Sequence, residues 1–290
     1  MTNSSNISLS CEFFPTNTEQ GAEKLAIVRK ELTTAADFEY FSVTYGAGGS
    51  SQERTVNLVQ RIAEEQAENP KNPKVIAHLT CVAASRNSIT ELLENYKSIG
   101  IAGILALRGD MPANLVGKEV KNEVEDACAL VKLTREIWTD AHIAVACYPE
   151  IHPKAKTVAA DIEVLKKKAD SGANEAVSQY FFNPDSFLRF RDDAVRAGVQ
   201  IPLTPGIMPI TNYRQIADFS DKCGAELPSW IRKRLADLEH DQAALCKFGV
   251  DVVAKLCERL ISEGISNLHF YSMNKSEAVL QILRAVGLGK

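Results

Sequence analysis

Short apolar, β-branched runs alternate with longer segments of helical period along the whole of this chain, and few architectures accommodate that alternation. Strands are expected at Ile7–Glu12, Tyr40–Thr44, Val75–Leu79, Gly103–Leu107, Ile143–Cys147, Ala176–Gln179, Leu203–Gly206 and Leu268–Tyr271. Strands that read as near-continuous apolar runs, each followed by a helix, belong to parallel sheets covered by helices. Eight strand–helix units in 290 residues fit an α/β fold of one kind, the (β/α)8 TIM barrel, as a single domain over 1–290. A doubly wound open sheet is the rival, and it would usually bring Gly-x-Gly-x-x-Gly after an early strand. Gly46, Gly48 and Gly49 in YGAGGS come closest, with the wrong spacing.

The helical segments carry their own signals. Val158, Ile162, Leu165 and Ala169 recur at helical spacing and predict a buried stripe with Lys166 and Lys167 outside. Leu245, Val252, Leu256 and Leu260 predict another, and Gly100, Gly172, Gly198 and Gly264 stand where helices should close. Residues 111–125 read as a long polar loop above the fourth strand, and 221–240 as an extra helical insertion.

Composition narrows the function. With 45% hydrophobic and 24% charged residues, the chain is globular and large enough for a core without disulfide or metal staples. A net charge of −4 with no basic block excludes nucleic acid as an expected partner. No apolar run approaches the roughly 18 residues of a membrane span, and Met1–Asn6 lacks the parts of a signal peptide. Seven cysteines with no Cys-x-x-Cys pair suggest reduced thiols and a cytoplasmic protein. No zinc spacing, Gly-x-Ser-x-Gly or P-loop is present, so no metal, serine hydrolase or nucleoside triphosphatase is expected.

In such a barrel the C-terminal strand ends build the active site. Here they carry Glu12, Thr44-Tyr45, His78, Arg108-Gly109-Asp110, Tyr148-Pro149-Glu150, Gln179-Tyr180, Tyr271 and Asn274. Glu12 precedes Phe13-Phe14-Pro15. Partly apolar surroundings would raise its pKa and suit it to general acid catalysis; the other reading pairs it with an arginine such as Arg108. Asp110 could grip an amino-pyrimidine edge or simply start a loop. His78 and His152 lack a metal pattern, and a lone strand histidine is more often a satisfied core residue. His152 precedes a helix bearing Asp161 and Lys168, a group that could hold a ribose and a diphosphate. Thr211 or Asn212 suits an N-cap, which puts Tyr213 in a first helical turn, to stack on a planar ring or to pack over the mouth. The residues alone describe a barrel enzyme with carboxylates and aromatics at its mouth.

At these same residues stand SCEFFP, FSVTYGAGGS followed by Arg54-Thr55, HLTC, ALRGD, YPEIHP, SQYFF, PGIMPITNY and HFYSMN. In that order, from about Ser8 to Leu288, the sequence resembles the bacterial, single-domain 5,10-methylenetetrahydrofolate reductases. The resemblance implies a barrel that holds FAD non-covalently and reduces 5,10-methylenetetrahydrofolate to 5-methyltetrahydrofolate, supplying methyl groups for methionine synthesis. It implies NADH or NADPH as reductant, NADH in most bacterial cases, in a ping-pong mechanism. It assigns Glu12 as general acid and Asp110 as the carboxylate near pterin and flavin. Gln179 would bond the pterin, Tyr213 would stand where the family commonly has a stacking phenylalanine, and Lys275 could meet the glutamate tail. FAD contacts are implied for Thr44, Tyr45, His78, Arg108, Gly109, Asp110, Tyr148, His152, Asp161 and Lys168. The family implies a homo-oligomer with small-molecule partners.

Three departures accompany the resemblance. EFFPTNT replaces an EFFPP-type motif, Asp126 to Val131 lacks the familiar Tyr-Ala, and Val164 replaces a polar residue on the cofactor-binding helix. Longer eukaryotic relatives bind S-adenosylmethionine in a further domain; with the chain ending at Lys290, no such regulation is expected. Two other readings compete: a flavin-free barrel lyase or aldolase using Glu12 and Lys168, and a non-catalytic folate- or flavin-binding subunit. A Schiff-base lysine should stand on a barrel strand, and a binding subunit needs no acid; both arguments favour the reductase.

Overall fold

A computed structural model describes residues 7–45, 52–111 and 122–290. Its strands are β1 (Ser8–Phe13), β2 (Tyr40–Val43), β3 (Lys74–Thr80), β4 (Gly103–Leu107), β5 (His142–Cys147), β6 (Glu175–Ser178), β7 (Leu203–Thr204), β8 (Gly206–Ile207) and β9 (Asn267–Tyr271). The helices are α1 (Glu19–Ala35), α2 (Gln52–Glu68), α3 (Arg86–Ile99), α4 (Ala127–Ile137), α5 (Val158–Asp170), α6 (Pro184–Arg196), α7 (Tyr213–Cys223), α8 (Ser229–Asp237), α9 (Gln242–Ser262) and α10 (Glu277–Ala285).

All paired strands are parallel, in the order β7-β6-β5-β4-β3-β2-β1-β9-β8. β7 and β8 are halves of one expected strand, parted by Pro205. β7 bonds to β6 and β8 to β9, while the Pro205 carbonyl accepts from His269 N at 3.0 Å. Proline has no N–H to give a ladder, so the strand changes partner there and the ladder runs on round the barrel. The fold is the expected (β/α)8 TIM barrel. α8 lies within the insertion expected at 221–240.

Strand alternation sorts the side chains into two sets. Tyr40, Ile76, Leu105, Ala144 and Val177 form a small inner cluster. Their strand neighbours, such as Phe41, Val75, Ile104, Val145 and Ala176, join the large core between sheet and helices. By the same alternation and the register Ser10↔His269, Glu12↔Tyr271 and Glu12↔Ser42, Ser10, Glu12, Ser42, His78, His269 and Tyr271 face the interior.

The expected helix-closing glycines 100, 172, 198 and 264 all have positive φ, +84°, +112°, +85° and +85°. Two stripes need correction. α5 buries Ile162 and Leu165, but Val158 is 54% exposed, because it opens the helix in the turn that overhangs the strand ends. α9 buries Leu245, Gly249, Val253, Leu256, Cys257 and Leu260, a stripe that passes beside Val252 and leaves it half-buried. All seven cysteines are free, and Cys11, Cys81, Cys147 and Cys257 are buried.

Candidate active site

Glu12 points into the barrel one residue before the end of β1. Its backbone is fixed from two directions. The Ser272 hydroxyl donates to the Glu12 carbonyl at 2.7 Å, and the Asn274 side chain accepts from Phe14 N at 3.0 Å and donates to Phe14 O at 2.8 Å. The exits of β1 and β9 are thereby tied together above the acid.

No arginine meets the carboxylate among the described residues. His78 does, from β3 across the interior, with Nε2 at 3.4 Å from Glu12 Oε2. Burial raises the Glu12 pKa to about 8. Burial, followed by the nearby His269, lowers His78 to about 3. Near neutral pH the pair is therefore a protonated acid beside a neutral imidazole, not a salt bridge. The expectation of a satisfied core histidine is corrected: His78 is buried, yet its Nε2 makes no hydrogen bond.

Tyr271, opposite Glu12 in the β1–β9 register, donates its hydroxyl to Ser178 O at 2.7 Å. This bond reaches from β9 to β6 past the split strand between them and passes over Gly206, where a Cβ would lie 2.5 Å from the tyrosine ring and 2.2 Å from Ser178 O. Only glycine fits. Gln179 follows β6 half-buried, and its side-chain oxygen accepts from Tyr180 N at 3.0 Å, which leaves the amide NH2 as its remaining donor group.

At the exits of β4 and β5, on the same face as the end of β1, lies a cavity of about 550 Å³, within the usual range for small-molecule sites. It gathers seven of the residues implied for cofactor binding: Arg108, Gly109 and Asp110 after β4, Tyr148 and His152 after β5, and Asp161 and Lys168 on α5. Gly109 has φ +82°, and a Cβ there would meet Thr80 Cβ at 2.7 Å. The backbone thus lies closer to the wall than any other residue allows. Lys168 is half-buried and donates to Ala146 O at 2.7 Å, and desolvation lowers its pKa. His152 N donates to Asp161 Oδ2 at 2.8 Å, His152 Nδ1 accepts from Lys154 N at 3.0 Å, and the Tyr148 ring meets the imidazole edge-on at 4.5 Å.

The first turns of both α4 and α5 reach the wall of this cavity, and helix N-termini favour anions. Asp126 caps α4 by accepting from Ala129 N at 2.9 Å. Asp110 is 92% exposed at the rim, 3.8 Å from Lys154 Nζ. Ile151, between Glu150 and His152, holds φ +67°, a left-handed conformation that a β-branched side chain rarely adopts. Ala83, Met273 and Asn274 are also left-handed. Among the described residues, every non-glycine of positive φ follows a strand at this face, where backbone strain accompanies binding sites.

Other expected residues stand around the mouth but outside the wall of this cavity. Thr44 N donates to Phe13 O at 2.9 Å, and its carbonyl accepts from Thr55 at 2.9 Å. Tyr45 donates to Gln52 at 3.0 Å. Asn212 caps α7 by accepting from Gln215 N at 2.9 Å, which sets half-buried Tyr213 in the first turn as expected. Lys275 is exposed after β9. Gly46, Gly48 and Gly49, and positions 112–121 of the long loop, lie outside the described residues. Lys154 was not foreseen in the cavity wall, and Asp126 and Cys128, noted in the sequence only within a departure from the family pattern, line it as well. The signal for Asp126 was present, an Asp immediately before an apolar helical stretch. Among the described residues no side-chain cluster suits a metal ion, and no helix is long and apolar enough to cross a membrane.

The family model "Methylenetetrahydrofolate reductase" matches residues 1–287. A 5,10-methylenetetrahydrofolate reductase of Buchnera aphidicola (from Schizaphis graminum) is 38% identical over 97% of this chain and 92% of that protein. That of Escherichia coli K12 is 34% identical over 97% and 91%. Among solved structures, an uncharacterized Clostridium thermocellum protein that binds two copies of 5-methyl-5,6,7,8-tetrahydrofolic acid superposes with a TM-score of 0.63 at 14% identity, covering 97% of this chain and 95% of that one. That likeness concerns the fold.

Proposed function

The chain belongs to the methylenetetrahydrofolate reductase family, and we propose from that premise that it reduces 5,10-methylenetetrahydrofolate to 5-methyltetrahydrofolate as one FAD-binding catalytic domain over 1–290. NADH is the proposed reductant, acting before the folate in a ping-pong sequence. The observation that carries the reading is Glu12, a desolvated acid inside the barrel with His78 at 3.4 Å, on the same strand-end face as a cavity suited to an anionic dinucleotide.

The cavity suits FAD on three counts. Gly109 lets the strand-end backbone close on Thr80 and Val82 where a Cβ would collide, two helix N-termini and Lys168 favour a diphosphate, and His152 and Asp161 stand together to receive hydroxyls. Arg108, Asp110 and Tyr148 complete that wall, and Thr44 and Tyr45 after β2 and His78 on β3 are proposed to meet the cofactor from outside it. Bound there, FAD would carry a hydride from one substrate to the other.

This chain's own residues supply the rest. Opening the methylene bridge needs a proton on the departing aryl nitrogen, and Glu12 donates it. Asp110 receives the amino-pyrimidine edge of the pterin, and Gln179 donates its amide to the same ring system. Tyr213 stacks on either substrate, and Lys275 meets the glutamate tail. The protein is proposed to work in the cytoplasm as a homo-oligomer.

A flavin-free lyase or aldolase would need an inward lysine on a strand. Among the described residues the one strand lysine, Lys74, is exposed at the start of β3, at the opposite end of the barrel from the mouth, and Lys168 stands on α5 bonded to a carbonyl. Rapid mixing of Glu12→Gln tests the assignment. Flavin reduction by NADH should proceed, while reoxidation by the folate should fall by roughly 10²-fold or more. Equal losses in both half-reactions would remove Glu12 from its role.

A further inference from the structure

The interior of a TIM barrel is ordinarily filled by bulky branched apolar residues. Here one side of it is polar, and the polar groups form a file from one face to the other. At the N-terminal face His142, one-third exposed, lines a cavity of about 140 Å³. Its Nε2 lies 2.8 Å from Glu175 Oε1, and Thr204 donates to the other Glu175 oxygen at 3.0 Å. The Tyr40 ring lies between the imidazoles of His142 and His269, at centroid distances of 5.7 and 6.1 Å, and Tyr40 stands opposite Ser10 in the β1–β2 register. Ser10 Oγ lies 2.7 Å from His269 Nδ1, His269 and His78 are both buried with an unpaired Nε2 on this side of the interior, and His78 Nε2 reaches Glu12 at 3.4 Å.

The looser links coincide with unpaired atoms. Tyr40 Oη, Ser42 Oγ, His269 Nε2 and His78 Nε2 are buried side-chain atoms without a hydrogen-bond partner, and all belong to this side of the interior. Buried polar groups are normally satisfied by protein or by ordered water, and single waters bridge such atoms.

We propose that this file is a proton path from the N-terminal face to Glu12, with Ser10, Tyr40 and His269 as positioning residues and buried water bridging the unpaired atoms. The inference rests on the reductase reading. In each turnover the carbon–nitrogen bond of the methylene bridge breaks, the nitrogen takes the proton of Glu12 and the carbon takes the hydride. One proton from solvent must then return to the carboxylate. Folate seated over the mouth closes the direct route, and the opposite end of the barrel stays open to water. A neutral imidazole such as His269 can accept a proton on one nitrogen and release one from the other.

The test mixes NADH-reduced holoenzyme with methylenetetrahydrofolate in weak buffer containing a pH indicator, comparing wild type with Ser10→Ala, Ser10→Thr and Tyr40→Phe. The first flavin reoxidation should keep its wild-type rate, since Glu12 begins protonated. The proton uptake that follows should slow by about tenfold in Ser10→Ala and Tyr40→Phe, less than the loss on removing the acid itself, with a larger solvent isotope effect. Ser10→Thr should restore it. Wild-type uptake in both disrupted variants would overturn the path. His142→Gln, at the solvent-exposed end, repeats the test where interior variants fold poorly. A wild-type protein whose colour does not change with NADH and folate would instead overturn the reductase reading.

Discussion

At the scale of single residues, protonation states decide the chemistry. Only protonated Glu12 can donate, so the folate half-reaction should decline as pH rises through about 8, while flavin reduction should not follow that profile; stopped-flow rates across pH check it. The same shift enters stability. The folded state holds the Glu12 proton above the ordinary carboxylate range, so its contribution is present below 4.5 and is lost as pH rises through about 8. Thermal denaturation should therefore show Glu12→Gln gaining on the parent over that interval. His78 and His269 have the opposite sign. Burial depresses them to about 3 and about 4, so their contribution is present above 6.5 and is lost as acid approaches those values. Replacing His269 with Gln should flatten the acid limb of a stability profile. The acid itself was legible in the sequence, because Phe13, Phe14 and Pro15 announce a desolvated strand end. Its neighbour was not. His78 stands on β3, not beside β1 in the sheet, and meets Glu12 only across the interior.

At the scale of elements, strand positions were legible nearly to the residue, since buried parallel strands read as unbroken apolar runs. The seventh strand was legible as a place and not as a pair of halves, because the change of partner at Pro205 depends on what flanks it. Val158 shows the matching limit for helices: periodicity names a face, but not how far the neighbouring sheet extends beneath it. The loop glycines make a contrast that can be measured. Gly109→Ala brings a Cβ to 2.7 Å from Thr80, and the purified variant should lose most of its flavin, read from its absorbance. Gly100→Ala meets nothing within 4 Å, so it should cost only the left-handed strain, about 1 kcal/mol, and keep its flavin. Flavin retained by Gly109→Ala would mean that the close approach there is not part of the cofactor site.

At the scale of the molecule, eight strand–helix units and the polar groups at their ends were enough to place a mouth, and the cavity beside β4 and β5 holds seven of the ten residues expected to bind the cofactor. The polar interior below that mouth was not legible. Ser10, Tyr40, His78 and His269 are scattered over 260 positions of sequence, and only the register of four strands brings them together. Occupancy of the cavity should reach the whole fold: FAD at 100 times its Kd should stabilise the protein by about 2.7 kcal/mol, so the unfolding temperature should rise with FAD concentration. The most direct test of the reductase reading is the visible absorption spectrum of the purified protein, followed anaerobically as NADH and then methylenetetrahydrofolate are added. The protein should be yellow, bleach with NADH and recolour with the folate. A protein that stays colourless after incubation with FAD, or one that bleaches and does not recolour, would contradict that reading.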